Sequence, residues 1–87
     1  MVAVPSCGKF LVDQGAEVIK IESPAGDPAR WNSVQEGHPD NIYENPSWDV
    51  ENSGKRGIVL NTKTEQGKAI LFRLLDNADV FLTNWRP

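Results

Sequence analysis

Between Gly57 and Thr83 the apolar residues change period twice, and that alternation restricts the fold more than any other feature of the chain. Ile58, Val59 and Leu60 form a short apolar run of the buried-strand type, which predicts a strand over Gly57 to Asn61. Thr62 and Glu65 have the spacing of a capping box, and Thr64 is an equally good N-cap. Ile70, Leu71, Leu74, Leu75 and Ala78 then fall on one helical face, with Lys68, Arg73 and Asp76 elsewhere and Asn77 suited to end the helix. Asp79 to Thr83 reads as the next strand. Strand, helix and strand in that order is a β-α-β unit, whose two strands are parallel because the helix carries the chain back across the sheet.

The N-terminal part repeats the second half of the same pattern. Cys7, Phe10, Leu11 and Val12 cluster near helical spacing, with Pro5 suited to an opening turn and Gly15 to the left-handed residue just past a helix end. Glu17 to Ile21 is short and β-branched, hence a strand. Together the two units predict an α/β domain with a partial, Rossmann-like parallel sheet and flanking helices. Glu22 to Asn52 carries no such period. It holds four prolines (Pro24, Pro28, Pro39 and Pro46) and isolated aromatics at Trp31, Tyr43 and Trp48, which with Ile42 set it apart from a flexible spacer. An ordered excursion lying on another surface is expected there.

A parallel strand needs neighbours and covering helices. Here the first helix begins almost at residue 1, and the last expected strand runs straight into Asn84-Trp85-Arg86-Pro87. The chain is therefore expected to be a piece of a larger domain. Its 87 residues bear on this, because a core built from so few is marginal on its own.

Charge and composition exclude several functions. Nine Lys and Arg against twelve Asp and Glu give a net charge of −3, no footprint for nucleic acid or an anionic membrane. No apolar run approaches a membrane span, and no secretory leader is recognisable. With Cys7 the single cysteine and His38 the single histidine, neither a disulfide framework nor a Cys/His metal site is expected. A soluble, cytoplasmic protein is expected by elimination. Cys7 is expected in the core and His38 in solvent.

Ligands of open α/β sheets bind outside the carboxyl ends of the strands. Four segments meet that description: Ser23 to Arg30, Asn61 to Lys63, Asn84 to Arg86, and the loop Met1 to Val4. Convergence of Arg30, Lys63 and Arg86 would suit an anionic ligand such as a phosphate-bearing cofactor, with Trp31 or Trp85 as a flat face for a base. The competing reading of each cation is a solvated loop charge. No glycine-rich phosphate loop of either common pattern is present. Asn52-Ser-Gly-Lys-Arg56 precedes its strand and reads as a turn at Ser53-Gly54.

In order along the chain, Pro5-Ser-Cys-Gly, Asp13-Gln-Gly-Ala-Glu-Val-Ile-Lys-Ile-Glu22, Gly26-Asp-Pro-Ala-Arg30, Asn52-Ser-Gly-Lys-Arg-Gly-Ile58, Leu60-Asn-Thr-Lys-Thr64, Ala78-Asp-Val-Phe and Asn84-Trp-Arg-Pro87 resemble the opening of the family III CoA-transferases. Glu44 to Val50 and Asn61 to Thr64 are most similar to the branch acting on 2-hydroxyacyl-CoAs. The resemblance implies a transferase moving CoA between carboxylic acids, with coenzyme A as acyl-CoA substrate, no metal, and an interlocked homodimer as the full-length parent. It implies that residues 1–87 are an N-terminal piece of the CoA-binding large domain, with a long loop at about 22–55. An Asp nucleophile is implied downstream, so no catalytic residue is expected within the chain, which would be inactive alone. For the CoA site the resemblance implies Leu60 and Lys63 at the adenine and phosphate end, Asn84 and Trp85 after the third strand, and Ala3 beside the catalytic cleft, with Arg30 and Arg86 ranked lower. Ser23 stands where several members carry an Arg that contacts a CoA phosphate. A stand-alone α/β module for an anionic or nucleotide-like ligand, or a structural piece without independent function, remains the alternative.

Overall fold

A computed structural model describes residues 3–39, 41 and 44–86. Among these residues, four helices and two strands follow in the order α1 (Ala3–Asp13), β1 (Ile19–Glu22), a 3₁₀ turn (Pro28–Trp31), α2 (Asn32–Gln35), α3 (Pro46–Asn52), β2 (Arg56–Val59) and α4 (Glu65–Asp76). The two strands pair in parallel, Ile19 opposite Arg56 and Glu22 opposite Val59. Bonds from Arg56 N to Val18 O (2.9 Å) and from Leu60 N to Glu22 O (2.8 Å) extend the ladder at either end. The α/β class expected from the two patterned ends is therefore present, built on two strands among the described residues.

Local signals set most element ends. Gly15, at φ +95°, closes α1 as the left-handed residue, with Gly15 N bonded to Val12 O and Ala16 N to Leu11 O, which satisfies two carbonyls of the last turn. Thr64 is the N-cap of α4, its hydroxyl accepting from Gly67 N at 3.0 Å, so the cap falls on Thr64 and not on Thr62. Asn77 ends that helix as expected. The Ser53-Gly54 turn also forms, with Gly54 at φ +87°, where an added Cβ would stand 2.6 Å from Val12 Cγ1.

Three expectations are corrected. Asp79 to Thr83 forms no strand: Val80, Phe81 and Leu82 are exposed, and α4 packs against no other helix or strand among the described residues. Strand propensity is realised only beside a partner edge, and here α4 does not bring the segment back to β2. Cys7 is exposed. The inward stripe of α1 is Val4, Pro5, Gly8, Leu11 and Val12, to which Cys7 and Phe10 do not belong. Finally, Ala3 and Val4 lie in α1 instead of a loop; Met1, Val2, Ile42, Tyr43 and Pro87 are outside the described residues.

The described residues of the excursion between the strands form two short helices and a 3₁₀ turn, and polar contacts hold them. Asp27 caps the 3₁₀ turn by accepting from Ala29 N, and Asn45 caps α3 by accepting from Trp48 N. Each is followed by a proline at the first helical position, where the missing N–H costs nothing. Ser33, fully buried, donates to Asn45 Oδ1 at 2.6 Å, and Asn45 Nδ2 donates to Arg30 O at 2.8 Å. The buried residues include the apolar Ala29 and Leu60 beside the polar Glu22, Ser33 and Asn52. The centre of this chain is accordingly as much a hydrogen-bond network as an apolar core.

Candidate functional site

The carboxyl edge of the sheet is built from the two segments that leave β1 and β2. After β1, the chain turns at Gly26 and returns Arg30 onto Glu22, the last residue of the strand. Arg30 donates through Nε to Glu22 Oε1 (2.8 Å) and through Nη2 to Glu22 Oε2 (2.6 Å), a bidentate pair, while Asp27 N donates to Oε1 at 2.9 Å. The guanidinium lies over the Trp48 ring, 3.9 Å from its centre, and Lys20 Nζ reaches the same ring at 5.2 Å. Lys20 in turn pairs with Asp27 at 2.8 Å.

These contacts set the charges. Hydrogen bonding from Arg30 holds the Glu22 carboxyl below its ordinary value against the opposing effect of burial. Burial pulls Asp27 upward, but the Lys20 ammonium and the Ala29 N–H outweigh it and the group also lies low. Beside this network is a cavity of about 210 Å³ whose walls include Lys20, Arg30, Trp48, Asn52 and Lys55. Lys55 donates to Pro5 O at 2.7 Å and Asn52 Oδ1 at 3.0 Å, and burial, with repulsion from Lys20, holds it below the ordinary lysine range.

After β2, Leu60 is buried and its amide is bonded to Glu22 O, so the two carboxyl-end segments meet at one residue. Asn61 then shapes the turn into α4. Its carbonyl accepts from Thr64 Oγ1 (2.9 Å) and Thr64 N (3.2 Å), and its side chain accepts from Lys63 N (3.1 Å). Gly67 packs against this turn so closely that a Cβ there would stand 1.8 Å from Asn61 O. Lys63 is exposed at the junction, beside the first backbone N–H groups of α4. An exposed lysine next to a helix N-terminus suits an anionic group such as a phosphate.

Arg30, Leu60 and Lys63 thus lie on the two segments that leave the carboxyl ends of β1 and β2. Arg30 is engaged with Glu22 and Trp48, whereas Lys63 projects without such a clamp. Ala3 opens α1 and is exposed. Asn84, Trp85 and Arg86 lie on the exposed segment after α4, with Trp85 N bonded to Thr83 Oγ1. Trp31 is half exposed and backs onto Gly26; His38 is exposed, as expected. Sequence reasoning missed the Glu22–Arg30–Trp48 stack and the reach of Lys55 to Pro5. Asp27-Pro28 and Asn45-Pro46 were the available signals, because a capping residue followed by proline marks a helical turn. Among the described residues no group of three or more His, Cys, Asp or Glu is placed to hold a metal ion, and no helix is long and apolar enough to cross a membrane.

Comparison with known proteins bears on what this edge binds. A family model described as CoA-transferase family III matches residues 1–87. A cinnamoyl-CoA:phenyllactate CoA-transferase of Clostridium sporogenes is 55% identical over 85 residues, covering 98% of this chain and 21% of the relative. An (R)-2-hydroxy-4-methylpentanoate CoA-transferase of Clostridioides difficile is 45% identical over the same length, again 98% of this chain and 21% of the relative. A formyl-CoA:oxalate CoA-transferase of Streptomyces avermitilis is 40% identical, covering 95% of the chain and 19% of the relative. The chain thus spans about a fifth of the length of the curated relatives it matches. No solved structure matches it.

Proposed function

The chain belongs to CoA-transferase family III, and we propose that it supplies the coenzyme A-binding edge of a cytoplasmic enzyme that moves CoA between carboxylic acids, without supplying the nucleophile. The observation that carries this reading is the β2–α4 junction, where Leu60 is buried, Asn61 and Thr64 lock the turn, and Lys63 stands free beside the helix N-terminus. In the proposed site Lys63 meets a phosphate of CoA as a point charge and Leu60 backs the adenine. Trp85 gives an aromatic wall, Asn84 a hydrogen-bonding amide, and Ala3 a small residue beside the cleft. Arg86 adds positive charge. Arg30 acts mainly through Glu22, by holding the loop that frames the edge.

The chemistry explains why such an anchor is needed. In this reading an Asp carboxylate outside these residues attacks the acyl-CoA carbonyl, giving a mixed anhydride and CoA thiolate. The thiolate attacks the Asp carbonyl, releasing the donor acid and leaving an enzyme thioester. The acceptor carboxylate then attacks that thioester, CoA leaves again, and its thiolate takes the acyl group from the second anhydride. CoA is leaving group and nucleophile in turn, so binding energy at its nucleotide end, remote from the reacting carbon, keeps the thiolate in place. The two relatives named for phenyllactate and (R)-2-hydroxy-4-methylpentanoate support 2-hydroxyacyl-CoAs as the substrate class. A partial Rossmann-like domain within an interlocked homodimer is part of the same reading, and would give the segment 22–55 a second surface.

The test is CoA exchange by a full-length transferase carrying this segment, from a 2-hydroxyacyl-CoA to a labelled carboxylic acid. Transfer is expected, Lys63→Ala should raise KM for acyl-CoA with a smaller change in melting temperature, and the 87-residue chain should be inactive. Absence of transfer to any carboxylic acid would remove the enzymatic reading. Quenching of tryptophan fluorescence in the isolated chain by CoA, without any such exchange in the longer protein, would favour a stand-alone binding module.

A further inference from the structure

Around the cavity beside the sheet edge, Lys20 is paired with Asp27, Arg30 with Glu22 and Arg56 with Glu17. Lys55 is used differently. Its ammonium bonds two neutral oxygens, the Pro5 carbonyl in the first turns of α1 at 2.7 Å and Asn52 Oδ1 at the end of α3 at 3.0 Å. To reach Pro5 the side chain crosses α1 at Gly8, which is buried. A Cβ at Gly8 would stand 3.2 Å from Lys55 Cε and 3.4 Å from Nζ, so the missing side chain is the notch through which the lysine passes. Glycine is a poor residue for the middle of a helix, and here it has a steric reason.

The contact continues beyond Asn52. That residue is buried and donates through Nδ2 to Trp48 O at 3.1 Å. The Trp48 ring lies under Arg30, Arg30 clamps Glu22, and Glu22 O receives Leu60 N. A continuous chain of contacts therefore runs from the first turns of α1, where Ala3 stands, to the β2–α4 junction, where Leu60 and Lys63 stand. Its long-range link is the bond from Lys55 to Pro5, which joins residues 50 apart in sequence.

We propose that Lys55 is a positioning residue of the CoA site: it touches no ligand, and it holds the opening of α1, with Ala3, in place relative to Leu60 and Lys63. This rests on the CoA-binding reading above. The geometry makes a specific demand on Gly8. A methyl group there obliges the Lys55 side chain to give by a few tenths of an ångström, and is harmless or favourable to the helix once Lys55 is cut back to alanine.

The experiment is a double-mutant cycle of Lys55→Ala and Gly8→Ala in the full-length transferase, with Lys63→Ala as reference, read as KM for acyl-CoA, kcat and melting temperature. Lys55→Ala is expected to raise KM about fivefold, within the range found for residues that couple sites through contacts, and to leave kcat within about twofold. Gly8→Ala alone should raise KM in the same direction by a smaller factor. In the Lys55→Ala background it should leave KM unchanged and raise the melting temperature. Additive effects of the two changes, or a lowered melting temperature with KM unchanged, would overturn the proposal, because a purely structural lysine behaves so. If Lys55→Ala does not fold, Gly8→Ala keeps the test open: an unchanged KM there overturns the proposal. A KM raised by Lys63→Ala alone leaves the CoA reading standing and removes Lys55 from it. Failure of all three variants to alter KM removes both.

Discussion

Replacing Arg30 by alanine removes the clamp on the carboxyl end of β1, and the loss can be estimated from its contacts. Two charge-assisted bonds to Glu22, at 2.8 and 2.6 Å, disappear together with the stacking on Trp48. In a dry site each such bond contributes about 1.5–3 kcal/mol. Arg30 is 44% exposed, so water screens the pair and about 1 kcal/mol per bond is the better figure. The cation–π contact adds about 0.5–1 kcal/mol. Glu22, only 7% exposed, then keeps the Asp27 N–H as its nearest donor. The sum is about 2.5–3 kcal/mol, and at 1.4 kcal/mol per decade it corresponds to roughly 60- to 140-fold faster local opening. Amide hydrogen exchange of the peptide covering residues 24–31 in the full-length transferase measures this directly. A further Glu22→Gln change in the Arg30→Ala background should recover part of the protection, since the stranded charge is gone. Acceleration under about threefold would refute the idea that this ion pair orders the loop.

Three further outcomes follow from the same contacts. Gly67→Ala should lower the melting temperature despite alanine's better helix propensity, because its Cβ would stand 1.8 Å from Asn61 O and the turn must open; a cost of about 1–3 kcal/mol is expected from thermal unfolding. Glu22 and Asp27 are both depressed in the folded chain, so the unfolded state binds more protons, and their stabilisation is present above the ordinary values of 4.5 and 3.8 and lost as pH falls through the depressed ones. In a variant with Trp31→Phe and Trp85→Phe, the Trp48 emission should therefore shift on acidification below pH 4.5, and a constant spectrum down to about pH 2 would contradict this. Trp85→Ala should weaken CoA binding by calorimetry more than Trp85→Phe, which keeps an aromatic face.

Signals confined to a few neighbouring residues were readable from sequence. Gly15 past α1, Thr64 and Asn77 around α4 and the Ser53-Gly54 turn all depend on local chemistry, and all are present. Features that depend on distant partners were not. Asp79 to Thr83 has strand composition, yet a strand also requires an edge beside it. The inward face of α1 packs against α3 and takes the Lys55 side chain at Gly8, contacts that no spacing announces, and Cys7 falls outside it. For the candidate site, Lys63 was legible as a cation at a strand-to-helix junction. Arg30 was legible only as a cation, because its partner Glu22 sits at the loop boundary and Trp48 in a stretch without periodicity.

Hydrogen exchange of the full-length transferase with and without CoA tests the central claim most directly. The account predicts CoA-dependent protection at residues 60–67 and 83–86, with little change within the polar network of residues 24–36. Protection absent from residues 60–67, or confined to segments outside these 87 residues, would contradict the assignment of this chain to the CoA-binding edge.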